Sequence, residues 1–431
     1  MRFYSKIILL LCVLGEGESW SLYRLQVPSD KNMDNDVLSA TKVLQSRNCT
    51  ILKVVKETLC IDFICSSSET FENEFNGTVS SLQSDLSSIV EVAKSFYNSS
   101  TELINDSALL DFESFPSYEE LEKYLLHLKK TYPQLIELKV VGKTHENRSL
   151  YFLKIGQIYE RIEKKAVFID GGIHAREWGS VSSVAYIISR LVELFNDPTQ
   201  RLLDARAKVN WYIMPLVNPD GYEFTRTTNR LWRKNRAPPP SGSGCYGVDL
   251  NRNWNVSGYG VGASDNPCSE IYKGPYPDSE PEVKAAKELL STLKDIHFYL
   301  GFHSYGSYIL TPFGYTTDLP KDNERITRVG HSMRKAIYNL HGRNYSVGSP
   351  ANIFYVAGGA SDDYSKLSGI PTSMTIELPE VNGGGFVLPP NKIKEIGKEA
   401  WASILPVSIH VVEHEDQEVK DSFYVIKKDL L

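Results

Sequence analysis

From about Phe112 onward, two spacings of apolar residues take turns along the chain. In "SYEELEKYLLHLKKTY" they recur every third or fourth position, which predicts an amphipathic helix with Ser117 as its amino-terminal cap. "IELKVVGKT", "SLYFLKIG", "KAVFIDGG" and "VNWYIMPLV" are short apolar runs that predict strands, and "SSVAYIISRLVELFN" predicts a helix packed on them. A helix over "EPEVKAAKELLSTLK", strands over "IHFYLGFHS" and "TSMTIELP", and a closing helix over "NKIKEIGKEAWASILPVSIHVVEH" follow. Strands interleaved with helices predict an α/β fold: a mixed parallel/antiparallel sheet flanked by helices on both faces.

The stretch 20–110 reads differently. It is rich in Ser, Asn and acidic residues around short apolar runs; "SLYRLQV", "CTILKVV" and "TLCIDFIC" predict strands, while "VLSATKVLQ" and "LQSDLSSIVEVAKSFY" carry helical periodicity. A small α+β unit preceding the larger one is expected, joined by the polar, turn-rich "YNSSTELINDSALLDFESFPS". The larger unit spans 111–414, and 415–431 forms a charged carboxy-terminal tail.

Residues 1–19 have the form of a secretory signal: Arg2 and Lys6, then the apolar Ile7 to Leu14, then the small Gly17 and Ser19. No other run approaches the roughly 20 apolar residues of a membrane helix, so a secreted, extracellular chain with no membrane partner is expected. Seven Asn-X-Ser/Thr acceptors, at Asn48, Asn76, Asn98, Asn105, Asn147, Asn255 and Asn344, agree with export as a glycoprotein. Of six cysteines, Cys12 leaves with the signal, Cys49, Cys60 and Cys65 cluster early with one left unpaired, and an oxidising compartment favours a Cys245 to Cys268 bridge. The formal charge of -6 over 431 residues argues against nucleic acid as a partner. "GYGVGA" from Gly258 nominally fits a dinucleotide fingerprint, but neither a strand before it nor a helix after it supports that reading.

Chemistry concentrates at strand ends. His174 and Glu177 lie three residues apart in "IHAREW", just past "KAVFIDGG", at the carboxyl edge where ligands of α/β sheets bind. His303 closes another apolar strand, and two His with one Glu can fill three positions around Zn²⁺ while leaving a fourth for water, as in catalytic zinc sites. A surface salt bridge is the alternative for the His-X-X-Glu pair alone. His127, His145, His297, His331, His341, His410 and His414 read as hydrogen-bonded core or surface residues. Glu377 is a charge within an apolar strand, where burial is costly unless a partner or a function compensates; an edge position facing water is the alternative. Arg176, Arg233, and Arg252 beside Asn251 lie in turns, where each taken singly also fits a solvated surface position.

Together, "HAREW", "NRLWRKNR", "VDLNRNW", "GFHSY", "IFYVAGGASDDY" and "TIELPEVNGGGFVLP" resemble, in order and spacing, the zinc metallocarboxypeptidases of the digestive A/B type, over roughly Phe112 to His414. The resemblance implies one zinc ion per chain, held by His174, Glu177 and His303, and Glu377 as the catalytic glutamate. It implies that Arg233 polarises the scissile carbonyl, that Asn251, Arg252 and Tyr355 clamp the substrate's terminal carboxylate, and that Arg176, Tyr305 and Phe386 line further subsites. Asp249 would orient His174, Cys245 and Cys268 match the family's shared disulfide, and the 20–110 unit sits where the family carries its activation peptide.

Specificity turns on Asp362 in "GGASDDY", which matches the base of the pocket for the terminal side chain. An acid there implies the B type, which removes Lys or Arg, so the expected partners are peptides or proteins with basic carboxy termini. The alternative is that Asp362 caps a helix beginning near Tyr364; Asp363 reads as the structural member of the pair. Two departures stand out: Pro379 and the glycine-rich "VNGGG" after Glu377, and the absence of Lys or Arg between Lys94 and Lys123, where a tryptic activation site would lie. The expectation is a secreted, monomeric exopeptidase precursor activated by a protease of unknown specificity; the alternatives are cleavage at Lys94 and an amino-terminal unit that stays attached. The rival readings are an A-type enzyme for apolar residues and a permanently masked binding protein.

Overall fold

The structure, a computed structural model, describes residues 20–26, 44, 50–55, 60–66, 78–83, 110–156, 164–381 and 385–413. The signal segment, the connector before Leu110, the tail, the acceptors at Asn48, Asn76, Asn98 and Asn105, Cys49, and part of "VNGGG" lie outside the described residues.

Four strands, β1 (Trp20–Gln26), β2 (Thr50–Val55), β3 (Cys60–Ser66) and β4 (Thr78–Gln83), pair antiparallel in the order β2-β3-β1-β4. The first three were expected. β4 is a correction, since it takes Leu82 and Gln83, which local periodicity assigned to a helix. Pairing with β1, in which Val79 faces Leu25, decides their conformation.

From residue 110 the chain forms α1 (Tyr118–Thr131), β5 (Ile136–Lys143), β6 (Ser149–Ile155), β7 (Ala166–Gly171), α2 (Trp178–Asn196), α3 (Pro198–Leu203), β8 (Asn210–Met214), α4 (Pro219–Thr227), α5 (Pro281–Thr292), β9 (Ile296–Ser304), β10 (Tyr308–Leu310), α6 (Asn323–His341), β11 (Ser346–Gly348), α7 (Pro350–Ile353), α8 (Ser361–Leu367), β12 (Thr372–Leu378) and α9 (Ile393–Glu413). Eight strands make one sheet in the order β11-β10-β12-β9-β7-β8-β6-β5. Its central four, β12, β9, β7 and β8, are parallel, with antiparallel strands on either side, as the mixed sheet anticipated.

Alternate side chains of the central strands feed two separate cores. Val167, Ile169, Trp211, Ile213, Phe298, Leu300 and Phe302 pack with α1, α2, α6 and α9, whereas Phe168, Tyr212, Met214 and Tyr299 pack with Val283, Ala286 and Leu290 of α5. Both faces are therefore covered, which is why the strands read as continuous apolar runs. At α1, Ser117 and Glu120 form a reciprocal capping box, acids occupy the first turn and lysines the last. Helix α6 has no counterpart among the elements expected from the sequence. It buries Ile326, Val329, Met333 and Ile337, about one apolar residue per turn beneath a wide charged surface, and ends at Gly342 in the left-handed conformation. The Cys245–Cys268 disulfide forms, with Cα atoms 5.1 Å apart, and closes the loop that holds Asp249, Asn251 and Arg252. On the chain-entropy estimate it stabilises the fold by about 3 kcal/mol. Among the described residues, no helix is long and apolar enough to cross a membrane.

Candidate active site

Parallel register brings the predicted residues to one edge. Gly171 of β7 lies opposite Phe302 of β9, and Glu377 of β12 lies opposite His303 of β9. His174 follows β7, and Glu177 immediately precedes α2. His174 Nδ1 is 2.8 Å from Glu177 Oε1, and His303 Nδ1 is 3.1 Å from Glu177 Oε2 and 3.2 Å from His174 Nδ1. All three side chains are buried.

The other ring nitrogen of His174, Nε2, lies 3.2 Å from Asp249 Oδ1. A neutral His174 that donates there leaves the Nδ1 lone pair aimed at a second imidazole nitrogen and a carboxylate. Burial and the Arg233 charge hold His174 below its ordinary pKa, in that neutral form. Burial acts to lower His303 as well, but the Glu177 carboxylate overcomes it and pushes the ring up to about 9. Two imidazoles and a carboxylate converging this closely in a dry site form a cluster able to hold a cation. Their donor atoms lie within 4.8 Å of one another, and two imidazoles with one carboxylate are a donor set suited to zinc.

Asp249 is fully buried and also receives Arg233 Nε at 3.0 Å and Nη2 at 2.9 Å, so one carboxylate fixes both His174 and the Arg233 guanidinium. Burial opposes the Arg233 charge, yet Asp249, Glu177 and Tyr355 hold its pKa above the ordinary value. Burial pushes the Glu377 carboxyl up to about 8 against the pull of His303 and Arg233.

The Asn251 side-chain oxygen accepts from Ser361 N at 3.0 Å, which turns its amide nitrogen away from that contact. Arg252 is buried beside it, while Tyr355 is 47% exposed. The loop leading into the helix that carries Asp362 comes against Arg252 backbone to backbone: Gly359 has φ +78°, and a Cβ there would stand 2.4 Å from the Arg252 carbonyl oxygen. Helix α8 begins at Ser361 rather than near Tyr364, so Asp362 sits inside its first turn and Ala360 is the cap position. Asp362 is buried; its oxygens accept from Asp363 N at 3.0 Å and Thr375 Oγ1 at 3.1 Å. Asp363 accepts from the backbone of Gly314 and Tyr315 and so serves the structural part expected of it. "GYGVGA" is a run of turns in which Gly258, Gly260 and Gly262 all have positive φ, and the Gly258 carbonyl packs against Gly358.

Tyr305, Phe386 and Arg176 meet at the rim. The two rings lie 4.8 Å apart edge to face, and the Arg176 guanidinium lies 4.3 Å from the Phe386 centroid. Arg230, which sequence analysis did not single out, donates to the carbonyls of Arg176 and Phe386, both at 2.8 Å, and stacks on Trp178. Its presence in "NRLWRK" was the available signal. Asp170 was missed too: burial pushes it up to about 6, and it accepts from Tyr299 at 2.5 Å. A charge inside "KAVFIDGG" offered the same hint that marked Glu377.

The family model described as zinc carboxypeptidase matches residues 121–403. Carboxypeptidase B of Astacus astacus is 40% identical over 301 residues, covering 69% of this chain and 97% of the relative. Carboxypeptidase A4 of Mus musculus is 34% identical over 312 residues, covering 72% and 73% respectively. Among solved structures, the carboxypeptidase A of Helicoverpa armigera superposes with a TM-score of 0.84 at 27% identity, covering 94% of this chain and 100% of that one. Thrombin activatable fibrinolysis inhibitor does so with a TM-score of 0.78 at 30% identity, covering 92% and 99%. With this match and the strand-end cluster in hand, the chain belongs to the Peptidase M14 family of zinc carboxypeptidases.

Proposed function

We propose that the chain is a secreted carboxypeptidase precursor of B-type specificity, releasing carboxy-terminal Lys or Arg from peptides. The observation that carries the specificity is Asp362: a buried carboxylate whose hydrogen bonds come from neutral groups, with no Lys or Arg in an ion pair with it among the described residues. A buried acid whose hydrogen-bond donors are neutral favours a cationic side chain arriving from the substrate.

His174, Glu177 and His303 would hold zinc, which when bound supplies Lewis-acid polarisation and an activated nucleophile. Glu377 accepts a proton from the attacking water and returns it to the leaving amine. Arg233, held by Asp249 through Nε and Nη2, keeps its remaining nitrogen for the carbonyl oxygen as negative charge develops there. Arg252 and the Asn251 amide receive the terminal carboxylate, with Tyr355 closing over it from the mouth. The 20–110 unit is read as the activation segment, removed by a protease that does not need Lys or Arg at the junction. Asn147, Asn255 and Asn344 are exposed, which supports their use as glycan acceptors.

The test is a pair of peptides ending in Arg or Phe. The trimmed enzyme is expected to prefer Arg by more than about tenfold in kcat/KM, a difference of about 1.4 kcal/mol, and Asp362→Ile to reverse the order. Equal rates, or a swap that changes nothing, sink the B-type reading and favour the A type.

A further inference from the structure

A second gathering of histidine and glutamate lies outside this site. His145 is in the turn between β5 and β6, Glu280 is the residue that opens α5, and Glu282 lies in that helix's first turn. His145 Nε2 is 3.0 Å from Glu280 Oε2, and one donor atom from each of the three side chains lies within 4.8 Å of the others. Both glutamates are buried, whereas the His145 side chain is 28% exposed and opens the cluster to solvent. The nearby arginines are engaged elsewhere: Arg148 pairs with Glu146 and Asp220, and Arg236 with Glu146.

A single amide lies between the carboxylates. Asn235 Nδ2 donates to Glu280 at 2.6 Å and to Glu282 at 3.2 Å, and its orientation is fixed because Oδ1 accepts from Ala237 N and Val248 N. Glu282 Oε1 is buried and has no hydrogen-bond partner among the described residues. A buried carboxylate oxygen left over in this way points to a missing cationic partner.

We propose that His145, Glu280 and Glu282 bind a second divalent ion of the zinc class, distinct from the strand-end site. One imidazole and two carboxylates suit Zn²⁺, whereas a calcium site has no use for the imidazole. The site is structural and touches the catalytic segments from behind. Asn235 lies two residues after Arg233, and Asn253, whose Oδ1 accepts from Glu280 N at 3.1 Å, directly follows Arg252. An ion here ties the start of α5 to the two stretches that carry those arginines.

The test equilibrates the full chain with zinc chloride, removes free metal, and measures zinc content and thermal unfolding. The wild-type chain is expected to retain a second zinc ion and to gain several degrees in Tm. His145→Gln and the near-isosteric Glu282→Gln are expected to lose that ion and the thermal gain, while their trimmed forms keep peptidase activity. A wild-type chain holding a single ion, variants that still hold both, or an equal gain from calcium unaffected by His145→Gln would each overturn the proposal. Failure of the strand-end zinc site reads differently, since His303→Ala would then leave zinc content unchanged. Should Glu282→Gln fold poorly, His145→Gln, at a partly exposed turn, decides alone.

Discussion

His174, Glu177 and His303 come together at the ends of adjacent parallel strands, whereas His145 and Glu280 come from a turn and a helix start 135 residues apart. In the first cluster the sheet ladder sets the spacing, and Asp249 steadies one imidazole from behind. In the second, a single buried amide, Asn235, lies between two acids. The contrast teaches that the same residue types do different work according to what holds them. Donors fixed by a ladder and backed by a carboxylate are poised for reaction, and donors gathered at a helix start are poised to brace.

The sharpest way to break this comparison is His303→Ala, expected to abolish peptidase activity; substantial residual turnover would show that the strand-end cluster is not the reacting one. Asn235→Ala removes the amide that donates to both buried acids and leaves Glu282 without that donor, and a loss of about 2–4 kcal/mol in denaturant unfolding is expected, with activity falling only as far as folding does. A smaller loss would mean that the bracing cluster needs no amide. Asp249→Ala should weaken zinc binding at the strand-end site by about 10–100-fold, read by competition with a chelator, because His174 loses the acceptor that orients it. Ser117→Ala, remote from both clusters by sequence and element, serves as the control. It removes half of the α1 capping box, should cost about 1 kcal/mol, and should leave kcat/KM unchanged.

The strand-end site was legible because each part of it sits in a short motif next to an apolar run, so reading the strands already located His174, Glu177, His303 and Glu377. The two-sided sheet was legible for the same reason. His145 was read as an ordinary polar residue because nothing local distinguishes it; its partners are set by how the β5–β6 turn meets α5, a tertiary fact. Helix α6 escaped because its narrow apolar stripe, Ile326 to Ile337, is diluted by charged neighbours. Leu82 and Gln83 went the other way, as a helical pattern yielded to an available strand edge. The start of α8 was placed too late because Ser361 and the two acids resemble residues preceding a helix, while the chain uses them as its first turn.

The pairing of Glu377 with His303 across neighbouring parallel strands has a mechanical meaning. Their separation is governed by the backbone rungs between β12 and β9, so it is as stiff as the middle of the sheet. A change of register by one residue would turn Glu377 to the opposite face instead of moving it slightly. The gap between these two groups is thus set inside the sheet, upstream of the stretch that follows Pro379.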